Sequence, residues 1–241
     1  MPPILEIGSV DGGFFAISER RRGRPIEATS RSEAEALMPA ILDALDAMRL
    51  ADLSETTGFG PWGVDGNGRF ETWIETLLTI HVDRPQLRTA GWRSRLEASS
   101  VGSGPFERGY DALRELAGEL DGELSEQRNL IHSDLLHGNV LVEADRIRAV
   151  LDWGSSIYGD FVLDLAWLAF WAPWYPEWRD LDIVGAALDH YRAIGLEVPG
   201  FEARLRACEL WIGLDGQAYD AWAGHWANLE WTARRTLDFT T

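Results

Sequence analysis

The alternation of apolar and polar residues divides the chain into a β-rich start, a helical middle, a short hairpin and a long helical end. Ile4 to Val10 and Phe14 to Ser18 read as two strands joined by Asp11-Gly12-Gly13, whose glycines supply the positive φ angles of a tight turn. Ser18 to Gly23 is a polar link suited to a hinge. The period then becomes helical: Ala34, Leu37, Met38, Ile41, Leu42, Leu45 and Met48 fall on one face, and Ser32-x-x-Glu35 resembles a capping box. Pro39 lacks an N–H, so that helix is expected to kink or split. Gly58 to Gly63 matches G-x-G-x-x-G literally, yet no strand leads into it and no helix opens at its third glycine. It reads as a surface loop rather than a nucleotide site. Gly102-Ser103-Gly104-Pro105 is a linker to a helix from Phe106 to Leu120. Further helices are expected near Phe161 to Phe170, Leu181 to Ile194, Glu202 to Trp222 and Ala227 to Leu237, interrupted by Pro173, Pro176 and Pro199.

From Asn129 to Asp164 the spacing of polar residues has no packing explanation. Val140 to Val142 and Ile147 to Leu151 read as two strands around Ala144-Asp145, with Asp152 closing the second. His132 and Asp134 precede a turn-like segment that ends at Asn139, so Asp134, Asn139 and Asp152 fall at one end of a small hairpin. Phosphoryl transfer from a nucleotide needs a carboxylate to orient and deprotonate the attacking hydroxyl, and hard oxygen ligands for magnesium on the phosphates. Asp134 suits the first task, and Asn139 with Asp152 suits the second. Singly, each of the three is an ordinary cap, turn or strand-end residue. Their joint spacing is what points to metal-bound phosphates.

His132-x-Asp134-x-x-x-x-Asn139-x-Leu141, followed by Leu151-Asp152-Trp153 and Gly159-Asp160-x-x-x-Asp164-Leu165-Ala166, resembles the aminoglycoside phosphotransferase family of the protein-kinase-like superfamily. Ala51 to Glu75, Ala169 to Trp174 and Ile212 to Asp215 look most like the hygromycin B phosphotransferases within it. The resemblance implies an α+β, protein-kinase-like fold: a reduced amino-terminal β-hairpin lobe with its hinge over 1–23, and a large, mainly helical catalytic and substrate lobe over 24–241. It implies Mg2+ and ATP, or GTP, as phosphoryl donor, and a hydroxyl of a small cationic antibiotic of the hygromycin B kind as acceptor. His132, Asp160 and Asp164 become structural braces of the catalytic loop, while Trp171 and Trp174 become cleft residues. Asp215, Asp220 and Glu209 have two readings, as ligands of substrate ammonium groups or as solvated helix charges, and the second is favoured.

All 22 basic residues are arginine. A kinase-like enzyme holds the nucleotide phosphates with a strand lysine paired to a helix glutamate, beneath a glycine-rich covering loop. This chain has no lysine, and it reads as a phosphotransferase beginning partway through its nucleotide lobe. Four outcomes stay open: Arg20, Arg21 or Arg22 substitutes for the lysine, a second chain completes the cleft, the protein is a fragment, or it is a non-catalytic pseudo-kinase module that sequesters a cationic ligand.

Composition adds limits. With 241 residues, 46% of them apolar, the chain can bury a sizeable core. It has no long apolar run, and Met-Pro-Pro-Ile-Leu-Glu does not read as a signal peptide. A single cysteine, Cys208, excludes an intramolecular disulfide framework and suits the cytoplasm. A net charge of -17 argues against nucleic-acid and membrane partners and for cationic ones. The expected assembly is a monomer or a homodimer, the latter if the apolar Ile4 to Phe15 hairpin pairs between chains.

Overall fold

Gly12, at φ 82°, turns the chain between β1 (Ile4–Val10) and β2 (Gly13–Ser18), the first of three antiparallel sheets. The computed structural model describes residues 1–120 and 128–241. Among the described residues β1 and β2 pair only with each other, and they leave Leu5, Ile7, Val10 and Phe14 exposed. After the link over 19–23, β3 (Arg24–Pro25) joins a sheet with β7 (Val140–Glu143) and β8 (Arg146–Val150) in the order β3-β7-β8.

Helix α1 (Arg31–Arg49) buries the predicted face, but its start and its proline differ from expectation. The cap is Ser30, not Ser32: the Glu33 carboxylate accepts from the Ser30 N–H at 2.8 Å and from its hydroxyl at 2.9 Å, whereas Glu35 pairs with Arg31 one turn away. Pro39 neither splits nor ends the helix. It lies on the exposed face together with Glu35, whose carbonyl water can satisfy in place of the missing N–H.

The glycine-rich stretch read as a surface loop is instead strand β4 (Phe59–Trp62), in a sheet of order β5-β4-β9-β6 with β5 (Gly68–Phe70), β6 (Asn129–Ile131) and β9 (Ile157–Gly159). Its glycines serve close packing. Gly60 has φ 73°, and a Cβ there would stand 2.7 Å from the Phe70 ring. A strand only four residues long, with one buried side chain that is large, leaves too weak a pattern to be read in advance.

The remaining α-helices among the described residues are α2 (Trp73–Leu78), α3 (Trp92–Ala98), α4 (Gly104–Glu119), α5 (Val162–Trp171), α6 (Ile183–Ala193), α7 (Phe201–Ala223) and α8 (Trp226–Leu237). Gly104 and Pro105, expected in a linker, form the first turn of α4, where a missing N–H costs nothing. α5 is apolar nearly all round and runs through the core, in contact with α6 and α7. α7 also packs against α3, α4 and α8. Gly213 permits the α7–α8 approach, since a Cβ there would meet the Thr236 hydroxyl at 2.3 Å. No helix among the described residues is long and apolar enough to cross a membrane.

Candidate active site

β6 delivers the chain into the loop that carries the sequence motif, and β7 and β8 take it away. The loop is pinned from behind by buried groups. Asp164, in the first turn of α5, accepts from the backbone N–H of His132 at 2.9 Å and of Ser133 at 2.8 Å. Burial raises the pKa of Asp164 while those two amides pull it down. The pairing also holds Ser133 at φ 57°, a backbone state few residues adopt unaided. His132 is fully buried, and both ring nitrogens are engaged: Nε2 donates to the Leu151 carbonyl at 2.7 Å, and Nδ1 accepts from the Asp134 N–H at 3.2 Å. The ring thus ties the loop to the end of β8 and has no nitrogen left for substrate. Asp160 caps α5 by accepting from the Val162 N–H at 3.0 Å, and it forms a buried two-pronged pair with Arg204, at 2.8 Å to Nε and 2.6 Å to Nη2.

In front of these braces stands Asp134, whose side chain is about a quarter exposed, at 27%. Asn139 Nδ2 donates to both the Asp134 carbonyl and Oδ2, each at 2.9 Å. With its N–H2 committed inward, the Asn139 Oδ1 is the atom left for another ligand. Leu151 N–H donates to the Asn139 carbonyl at 2.7 Å, so Asp152, the next residue, lies at the same hairpin end. Asp152 adopts a left-handed conformation, φ 52°, and its exposed carboxylate accepts only a long 3.4 Å bond from Gly154 N–H. One amide oxygen and one carboxylate make a sparse donor set. Among the described residues there is no group of three or more His, Cys, Asp or Glu side chains able to hold a metal. That chemistry fits magnesium, which binds through one or two protein oxygens and completes its shell with phosphates and water.

A wall of rings rises beside Asp134. His137 Nδ1 lies 2.9 Å from Asp134 Oδ1, and its imidazole meets Trp171, Trp167 and Tyr175 at 5.3, 6.3 and 6.3 Å between centroids. Trp171 stacks on Trp231 at 5.4 Å, and Trp174, 38% exposed, stands edge-on to the same ring. The indole N–H groups of Trp167 and Trp171 are buried without an acceptor among the described residues. Asp215 is drawn into this region: burial, then the charges of Asp134 and Asp220, push its carboxyl up to about 6. Asp220 is likewise raised to about 6 by burial, against the pull of the Thr232 hydroxyl at 3.3 Å and of His225. Three carboxylates therefore share one field beside the rings.

The expectation that Asp215, Asp220 and Glu209 are solvated helix charges is corrected here. Asp220 and Glu209 are 4% and 8% exposed and Asp215 is half-buried, because α7 is enclosed by other helices on most sides. Sequence reasoning passed over His137, at an unspecified position inside the His132 to Asn139 motif, Tyr175, one residue past the Ala169 to Trp174 segment, and Arg204. The last had a legible sign, being an arginine on the buried side of a helix next to Ala207 and Cys208.

Residues 2–208 match the model of the phosphotransferase enzyme family. The chain is 30% identical over 239 residues to hygromycin-B 4-O-kinase of Escherichia coli, covering 98% of this chain and 64% of that protein. The chain therefore spans less than two thirds of that relative's length. It superposes on a thermostable mutant of aminoglycoside phosphotransferase APH(4)-Ia, solved as a ternary complex with AMP-PNP and hygromycin B, with a TM-score of 0.78 and 28% identity. That match takes in 99% of this chain and 76% of the other. A further solved structure, described as a putative aminoglycoside phosphotransferase from Ralstonia eutropha, matches with a TM-score of 0.66 over 99% of this chain and 77% of its own; at 14% identity it supports the fold alone.

Proposed function

Because this chain belongs to the phosphotransferase enzyme family, whose model matches residues 2–208, we propose that it transfers the γ-phosphoryl group of ATP to a hydroxyl of a hygromycin B-like aminoglycoside. The observation that carries this reading is the Asp134 carboxylate, held by Asn139, about a quarter exposed, and flanked by His137 and the Trp171 and Tyr175 rings behind it. In the step, the acceptor oxygen forms a bond to the γ-phosphorus as the bond to the β,γ-bridging oxygen breaks and its electron pair leaves with ADP. The hydroxyl proton passes to Asp134. Asn139 Oδ1 and Asp152 would hold magnesium, which when bound neutralises phosphate charge. His132, Asp160 and Asp164 keep the loop in place without touching substrate. Asp215 supplies negative charge for an ammonium group, and Trp171 and Trp174 offer faces to the apolar side of a sugar ring.

The donor assignment is supported by the AMP-PNP complex of the solved relative, and the acceptor by the hygromycin B in the same complex. The domain reading is kept as part of the proposal: residues 1–23 as a hairpin and hinge at the nucleotide side, 24–241 as the catalytic and substrate lobe.

The test is phosphate transfer from Mg-ATP to hygromycin B, followed as ADP release and as phosphorylated drug by mass spectrometry. Asp134→Ala is expected to lower kcat by roughly a hundred to ten-thousand-fold, the usual contribution of a positioned base, with the KM for drug little changed. Drug binding by calorimetry without nucleotide binding or turnover would replace the enzyme with a sequestering module.

A further inference from the structure

The residue two before Asn139 has so far no part in the proposed step, yet its side chain, like that of Asn139, reaches the base. His137 has φ 63° and its side chain is 40% exposed. Histidine, asparagine and aspartate all tolerate that left-handed state better than most residues, so the backbone alone does not explain a histidine. Its contacts go further. Nδ1 lies 2.9 Å from Asp134 Oδ1, while Asn139 Nδ2 takes Oδ2 at 2.9 Å. Two donors on two different oxygens fix both the rotamer and the plane of the carboxylate. Each oxygen keeps a second lone pair for another partner. The imidazole is itself held edge-on against Trp171 and Trp167, at interplanar angles of 80° and 89°, and the main chain of His137 hydrogen-bonds the Tyr175 hydroxyl.

We infer that His137 is a positioning residue: its Nδ1–H, braced by Trp171 and Tyr175, sets the plane of the Asp134 carboxylate so that a free lone pair meets the incoming hydroxyl. This deepens the phosphotransferase reading and rests on it. The imidazole takes no proton from substrate and forms no bond to it.

Three substitutions separate positioning from turn geometry. His137→Gly keeps the left-handed backbone but removes the donor, His137→Leu removes both, and His137→Asn keeps the backbone while placing an amide N–H near the position of Nδ1. Gly and Leu variants are expected to lose roughly a hundredfold in kcat, the cost of a misplacement of about 1 Å, with the KM for hygromycin B nearly unmoved. Asn is expected to recover most of that loss. A Gly variant as fast as the parent, or an Asn variant as slow as the Gly one, overturns the proposal.

A second measurement does not depend on turnover. The chain has five histidines, so the imidazole 15N resonances of His137 can be assigned by comparison with the His137→Asn spectrum. In the parent protein Nδ1 should carry the proton, and Asp134→Asn should shift that resonance. An unchanged His137 ring spectrum in Asp134→Asn would rule the contact out. If the contact is seen but the parent transfers no phosphate, the phosphotransferase reading fails and the coupling stands.

Discussion

At the scale of single residues, charge and burial at α7 give the clearest consequences. Asp215 titrates near 6 because it is buried and because Asp134 and Asp220 repel its charge. Below that pH it is neutral, and above it the carboxylate attracts an ammonium group. The KM for hygromycin B should therefore fall as pH rises from about 5 to about 7.5. Asp215→Asn should raise the KM at the upper end by roughly tenfold, equivalent to about 1.4 kcal/mol, and flatten the profile; steady-state kinetics across that range in both proteins checks it. Glu209 acts on stability instead. Burial lifts its pKa from 4.5 to about 7, with only the Arg235 charge opposing. A carboxyl whose folded pKa is raised favours the folded state fully below the unfolded value and loses that contribution as pH climbs through the folded one. Glu209→Gln should leave stability nearly unchanged at about pH 4.5 and add up to about 3 kcal/mol above about pH 7.5. Urea unfolding of both proteins at the two pH values reads the difference, and equal midpoint shifts at both would refute it.

Among the elements, long amphipathic helices were the most legible, and short strands and buried charges the least. The face of α1 could be read from seven apolar positions, and the ends of α7 fell within a residue of expectation. The β7–β8 hairpin and the positions of Asp134, Asn139 and Asp152 could be read because a hairpin of known period leaves few places for its polar ends. β4 was missed because glycine packing, rather than hydrophobic alternation, makes it a strand. The α7 acids were misjudged because one helix's pattern does not reveal how many neighbours surround it. The site's rings from α5 and α8 meet only through tertiary packing. The element that joins these parts is α5, whose first turn carries Asp164 and two residues before which Asp160 is locked to Arg204 of α7. Both partners of that pair are at most 2% exposed. Asp160→Ala, which leaves the guanidinium buried without its carboxylate, should cost about 3–5 kcal/mol. The double variant Asp160→Leu with Arg204→Met should recover most of it. Chemical denaturation of the two singles and the double closes the cycle, and simple additivity would show that the pair does not couple.

For the molecule as a whole, the decisive property is a charge of -17, with Asp134, Asp215 and Asp220 close enough for the first and last to raise the pKa of the second. Such a charge draws a polycation toward the acceptor site and repels the nucleotide, so the two substrates should respond to salt in opposite senses. Screening acts over about 8–10 Å at moderate ionic strength and over about 30 Å at 0.01 M. Raising sodium chloride from about 0.01 M to about 0.15 M confines the attraction to the nearest carboxylates, and the KM for hygromycin B should rise several-fold. Over the same range the KM for Mg-ATP, still a net anion, should stay level or fall. If Asp215 holds a drug ammonium as proposed, Asp215→Asn should reduce the salt slope for the drug and leave that for the nucleotide unchanged. Initial-rate measurements at constant free magnesium separate the two slopes. If both substrates weaken in parallel with salt, the rings and hydroxyl contacts, rather than the carboxylates, govern recognition, and the acidic groups lose their assigned part in choosing the substrate.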